Sequence, residues 1–181
     1  MKAPERIETP RLLLRKPVPA DAEAVFRRYA ADPKVTRYLS WPTHRTVADT
    51  QAFLSWSDDE WEKWPAGPYL VFLRSDIRVL LGGTGLSFKS PTHAITGYVF
   101  AQDAWKQGFA TESLIAMVDL ARDLGVMRID ALTHAAHAAS ARVLEKCGFQ
   151  REEVRREHFL FPNLKPQKKS DVISFACCFD R

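Results

Sequence analysis

The 181 residues carry a formal net charge of +4, with 46% hydrophobic, 27% charged and 11% aromatic residues. This is the composition of one globular domain spanning residues 1–181, with enough apolar mass for a core, and it excludes global disorder. No run of five or more Lys/Arg residues occurs, so the basic excess predicts a solvated face with a mild preference for anionic ligands, and no nucleic-acid partner.

Charges are scattered through Met1–Arg15, so no secretory leader is read there, and no stretch is apolar for long enough to span a bilayer. Cys147, Cys177 and Cys178 are odd in number and two are adjacent. That is poor material for a disulfide framework and fits a reducing cytoplasm.

In chain order, Arg11–Lys16 ("RLLLRK") reads as a first strand between Pro10 and Pro17. Residues 20–30 place Ala22, Val25, Phe26 and Tyr29 at helical spacing, with Asp21 near the start. A second helix begins at a Thr46/Asp49 capping pattern and ends before "WPAGP". Trp41, Trp56, Trp61 and Trp64 surround it, either as core or as a pocket lining. Asp58, Asp59, Glu60 and Glu62 form a solvated face or, for a polycationic acceptor, a pocket wall.

Three strand-like runs follow at 69–74, 79–88 and 94–101, an antiparallel meander. "GGTG" (82–85) lies inside the second run and has no Lys-Ser/Thr after it, so it predicts a bulge or a close backbone approach rather than a phosphate loop. The clearest helix is "FATESLIAMVDLARDLG", with an apolar stripe from Ala110 to Leu124 and a stop at Gly125. A strand at 127–133, a short helix through "ASARVLEKCG", and strands near 159–161 and 172–179 complete the chain. The order is β-α-α-β-β-β-α-β-α-β-β. The fold class is mixed α+β: one mostly antiparallel sheet, one parallel pair made by the crossover helix, and helices on both faces.

The chemistry concentrates in "GYVFAQDAWKQGFATES" (97–113). A strand ends, and Gly108 stands at the mouth of a helix whose first N–H groups have no intrahelical partner. Lys106, Gln107 and Thr111 add a cation, an amide and a hydroxyl. The residues alone support an anion cradle, or a Gly loop that caps a helix and binds nothing.

"THAAHAASARVLEKCGF" (133–149) raises a second question, because His134 and His137 stand three apart. No nearby Cys, His, Asp or Glu completes a zinc set, so no metal is expected.

With "TPRLLLR" (9–15), these segments resemble the GCN5-related N-acetyltransferase (GNAT) superfamily, on the branch similar to the ribosomal-protein alanine N-acetyltransferases. The loop is similar to the family's Trp-x-x-Gly-Tyr/Phe-Ala-Thr-Glu. Residues 137–149 are similar to its Asn-x-x-Ser-x-x-Val-Leu-Glu-Lys-x-Gly-Phe, with His137 in the Asn position. Asp171 before the last strand also fits.

The resemblance implies acetyl-CoA as co-substrate, held between two parted parallel strands. It implies contacts from Val99, Phe100, Ala101, Lys106, Gln107, Gly108, Phe109, Ala110, Thr111, His137, Ser140 and Lys146. It implies direct attack by an amine, a protein N-terminus or a small molecule, with no cysteine nucleophile. Ser140 matches the family's acid for the departing thiolate. The strand 94–101 lacks a carboxylate, so His134 is the candidate base. A silent acyl-CoA sensor is the rival reading. A monomer or homodimer is expected.

Overall fold

The computed structural model describes residues 1–164 and 167–179. Its strands are β1 (Arg6–Glu8), β2 (Leu12–Arg15), β3 (Pro68–Leu73), β4 (Asp76–Ser90), β5 (His93–Phe100), β6 (Arg128–His134), β7 (Gln150–Phe159) and β8 (Ser170–Cys178). They form one eight-stranded sheet in the order β1-β2-β3-β4-β5-β6-β8-β7. Among the described residues only β5 and β6 pair in parallel, across the crossover helix α4 (Phe109–Asp123). The other helices are α1 (Ala22–Val25), running on into a π-helical turn at Phe26–Ala30, α2 (Pro33–Thr36), α3 (Val47–Lys63) and α5 (Ala138–Lys146).

The apolar run of β2 is buried on both sides. Leu12 and Leu14 join the core that also holds Leu114 and Met117 of α4, while Leu13 packs with Val25, Tyr29 and Ala30. Side chains alternate across a strand, so a continuous apolar run fits a strand covered on both faces. Met117 and Leu114 are fully enclosed, and truncating either to Ala removes about 2–5 kcal/mol.

The expected helix over 20–30 is a composite. A 3₁₀ turn at Pro19–Asp21 leads into α1 and the π turn. Arg15 grips the Asp21 carboxylate at 2.8 and 2.6 Å. The Thr46/Asp49 start of α3 is present: Asp49 accepts from the N–H groups of Arg45 and Thr46 at 2.8 and 2.9 Å. "GGTG" lies inside β4, where a Cβ on Gly82 would fall 2.0 Å from the Val99 carbonyl oxygen. β4 and β5 approach there closely enough to admit only glycine.

Three local expectations need correction. β1 and α2 went unanticipated because each is only three or four residues long. The strand expected at 159–161 is β7, which begins nine residues earlier and ends at Phe159. β7 is an edge strand with almost every residue exposed. Charge suits an edge that must not pair with another chain, and it leaves no apolar alternation to read.

The feature that positions the site is the parting of β5 and β6. They pair through His93↔Arg128, Ala94↔Ile129 and Ile95↔Asp130 and no further. Asp130 pins this closed end, 2.7 Å from both His93 Nε2 and Arg128 Nε. Beyond it β5 stays on β4 as far as Phe100, and β6 stays on β8 as far as His134. A V-shaped gap opens between them.

Candidate active site

At one side of the gap stands the start of α4. Gly108 is its N-cap residue with φ 81°, and no side chain caps it. The first α4 bond runs from Glu112 N–H to the Gly108 carbonyl at 3.0 Å. The N–H groups of Phe109, Ala110 and Thr111 therefore lie ahead of the helical ladder, at the positive end of the dipole. A Cβ on Gly108 would come within 3.3 Å of Arg11 Nη2. Lys106 is also left-handed, at φ 61°. A non-glycine residue held there stores strain of about 1–3 kcal/mol, which clusters at ligand loops.

The loop is fastened from below. Glu112 accepts from Thr9 Oγ1 at 2.6 Å, from Arg11 N–H at 2.9 Å and from Arg11 Nε at 2.6 Å. Arg11 also donates to the Gln107 carbonyl at 2.9 Å and lies over the Phe109 ring at 4.7 Å. Burial pushes the Glu112 carboxyl upward, but the Thr9 and Arg11 hydrogen bonds outweigh it and hold it below the usual range. The "TPR" and "ATE" segments are thus two halves of one clasp. Gln107 turns its amide to the Asp103 carbonyl at 2.5 Å.

Main-chain direction alternates along β5. Gly97 and Ala101 bond toward β4, through Thr84 Oγ1 at 3.0 Å and the Leu81 carbonyl at 2.9 Å. Val99 shares their parity. Tyr98 and Phe100 therefore direct their backbone groups into the gap. The Phe100 carbonyl already accepts from Trp105 Nε1 at 2.7 Å.

Across the gap, the Tyr98 hydroxyl lies 3.0 Å from both the carbonyl oxygen and Oγ of Ser140, in the first turn of α5. The carbonyl can only accept, so the phenol donates there and the Ser140 hydroxyl donates to the phenol oxygen. Burial raises the Tyr98 pKa, so the phenol stays protonated. Tyr98 stands in the Gly-Tyr pair that opens the 97–113 segment, but the sequence reading gave it no role.

The two histidines meet a side chain from another part of the chain. The Tyr38 ring, just beyond α2, lies 4.8 Å from the rings of both His134 and His137. Phe161 meets His134 edge-on at 5.1 Å. His134 Nδ1 accepts from the Ala136 N–H at 3.0 Å, so in the neutral ring the proton sits on Nε2. Burial first, then the Arg37 charge, lowers the His134 pKa; burial first, then His134, lowers that of His137. Both rings are neutral at pH 7. Asn163 locks this side by accepting from Thr43 N–H at 2.8 Å and donating to the carbonyls of Thr36 and Trp41 at 2.7 and 2.8 Å.

Of the expected contacts, Phe100 and Ser140 border the gap, Val99 and Ala101 turn their backbone groups to β4 instead, and His137 stands at the start of α5 against Tyr38. Lys106 through Thr111 form the α4 mouth. Lys146 lies apart from Ser140, on an open groove of about 1130 Å³ along the outer face of α4 that also takes in Gly108 and Thr111. Trp61 and Trp64 pack inward on Tyr69 and Phe88, and Asp58 pairs with Lys16 at 3.2 Å. Of the four tryptophans considered as pocket lining, Trp41 stands beside Asn163 on the histidine side.

Cys147, Cys177 and Cys178 are unbridged, and burial pushes the Cys147 thiol up to about 11. Among the described residues no group of three or more His, Cys, Asp or Glu could hold a metal ion. No helix among them is long and apolar enough to cross a membrane.

A gap between parted strands, with a glycine-opened helix mouth beside it, fits the long, anion-headed shape of an acyl-CoA. The comparisons agree. Residues 11–150 match the acetyltransferase (GNAT) domain family. An uncharacterized N-acetyltransferase, YoaA of Bacillus subtilis (strain 168), is 31% identical over 163 residues, covering 88% of this chain and 90% of YoaA. RimL, a ribosomal α-N-protein acetyltransferase solved in complex with coenzyme A, shares the fold with a TM-score of 0.84 at 20% identity, over 97% of this chain and 99% of RimL. MccE, a microcin self-immunity acetyltransferase solved with acetyl-CoA and AMP, also has a TM-score of 0.84, at 16% identity and over 98% of each chain. The domain match over most of the chain, together with a relative above 30% identity, makes this protein an acyltransferase of the GNAT N-acetyltransferase family.

Proposed function

We propose that the protein transfers the acetyl group of acetyl-CoA to the α-amine of its acceptor by direct attack. The observation that carries this reading is the Tyr98–Ser140 hydroxyl pair set across the open end of the β5–β6 gap. In the reaction the amine nitrogen bonds to the acetyl carbon, the carbon–sulfur bond breaks, and the sulfur departs as a thiolate that needs a proton. The Ser140 hydroxyl, rotated away from Tyr98, donates to that sulfur and recovers its proton from the one the nitrogen sheds through water as the amide forms, while Tyr98 keeps its hold on the Ser140 carbonyl. The unpaired N–H groups of α4 and the Lys106 ammonium suit the pyrophosphate.

The nitrogen must arrive neutral. An α-amine, with a pKa near ~8, is partly neutral at pH 7, whereas a lysine ε-amine near ~10.4 is almost wholly charged. His134, with Nδ1 engaged, presents a donor rather than a base. β5 offers no carboxylate. An acceptor that sheds its proton to water suits this site best. RimL is named for a protein α-amine, and a protein N-terminus is the acceptor we favour here.

The test is a panel assay of CoA-thiol release. It compares a peptide with a free N-terminus and no lysine, an N-terminally blocked peptide with one lysine, and a polyamine. Turnover with the first and not the second supports the reading. Preference for the polyamine or the lysine contradicts it. CoA binding without turnover of any acceptor leaves an acyl-CoA sensor.

A further inference from the structure

Thr133 is the next-to-last residue of β6, beyond the last parallel pair at Asp130. It is 4% exposed, and its Oγ1 has no hydrogen-bond partner among the described residues. A buried hydroxyl left unpaired is destabilising, and native structures hold few of them.

Its place in the sheet suggests what it pairs with. Ile129 and Ala131 belong to the core beneath α4, so Thr133, two residues further, lies on that same face. On β5 that face carries Ala94, Tyr98 and Phe100. Extending the register from Ala94↔Ile129 by four residues sets Thr133 opposite Tyr98, with the gap between them. The orphaned hydroxyl therefore belongs to the gap's second wall, at the level where Tyr98 reaches Ser140.

We propose that Thr133 is a binding residue for the pantetheine arm of the acyl-CoA, its Oγ1 hydrogen-bonding an amide of that arm. This rests on the acyl-CoA reading of the gap. The arm is a chain of secondary amides, each with an N–H and a carbonyl, and a hydroxyl can serve either. The inward-facing main chain of β5 offers partners on one wall. β6 pairs with β8 along its whole length, which takes up the main-chain groups of alternate residues, and the Thr133 hydroxyl adds a side-chain partner on that wall.

Thr133→Val keeps the shape and removes the oxygen. Three quantities are measured by calorimetry and thermal melting: Kd for CoA, Kd for 3′-phospho-ADP, which lacks the arm, and the Tm of the ligand-free protein. The expected results are a CoA Kd weakened about tenfold, an unchanged 3′-phospho-ADP Kd, and a Tm raised by roughly 2–4 °C. Thr133→Ser, which keeps the hydroxyl, binds CoA as the wild type does. Undiminished CoA affinity in Thr133→Val overturns the inference. So does a lower Tm or a failure to fold, because either shows that the hydroxyl has a structural partner. A wild-type protein that binds no CoA overturns the acyl-CoA reading itself, and this inference with it.

Discussion

Tyr98 and Ser140 meet at 3.0 Å across strands that have lost their own hydrogen bonds. The phenol touches Ser140, so in the proposed reaction its part is to position that hydroxyl. Tyr98→Phe should lower kcat about tenfold, while KM for acetyl-CoA stays near its original value. A change in KM alone would mean that the phenol shapes the gap instead of aiming Ser140.

His137 lends itself to a pH experiment. Burial, then the His134 charge, lowers its pKa in the fold. Above the unfolded value near ~6.5 the ring is neutral in both states, and the shift has no effect. As pH falls below that value the unfolded chain takes up a proton that the native chain refuses, and stability is lost down to the folded pKa. His137→Asn removes one such group, so Tm should decline less steeply between pH 7 and pH 5. An unchanged slope would place the titration elsewhere.

Among the elements, the clasp between the β1–β2 loop and the first turn of α4 bears most directly on the cofactor. Thr9, Arg11 and Glu112 are one unit, although about a hundred residues of chain separate its halves. Both halves were legible as motifs; their contact was not, because nothing local to either encodes it. Glu112 is only 16% exposed, whereas Arg11 is half exposed. Glu112→Ala should therefore cost about 1–2 kcal/mol in urea unfolding at pH 7. Its lowered pKa means that this stability is present above the unfolded value near ~4.3 and is lost as pH falls through the folded one, so wild type and variant should converge in acid.

The same contrast explains which elements could be read. α4 announces itself through a stripe of fully buried residues and a positive-φ glycine at each end. β7 is charged along an exposed edge and carries no periodic signal. Tyr38 comes from a short helix and an irregular stretch, where neither period applies.

For the molecule as a whole, the crossover through α4 makes the one parallel pair, and that pair is where the sheet opens. The parallel pairing followed from the order of helix and strand periods, whereas the parting of the two strands was what the family resemblance implied. The loop at Gly108 was legible from its own residues, whereas Ser140 was picked out by the family match of residues 137–149. The direction of each backbone group in the gap required the register with β4. The histidine pair is resolved as two neutral rings against Tyr38, next to the start of the helix that carries Ser140.

Ser140→Ala is the decisive comparison, with turnover of acetyl-CoA and an α-amine acceptor measured beside CoA affinity. The account predicts unchanged CoA affinity and a kcat lower by about a hundredfold or more. Equal turnover by variant and wild type would contradict it.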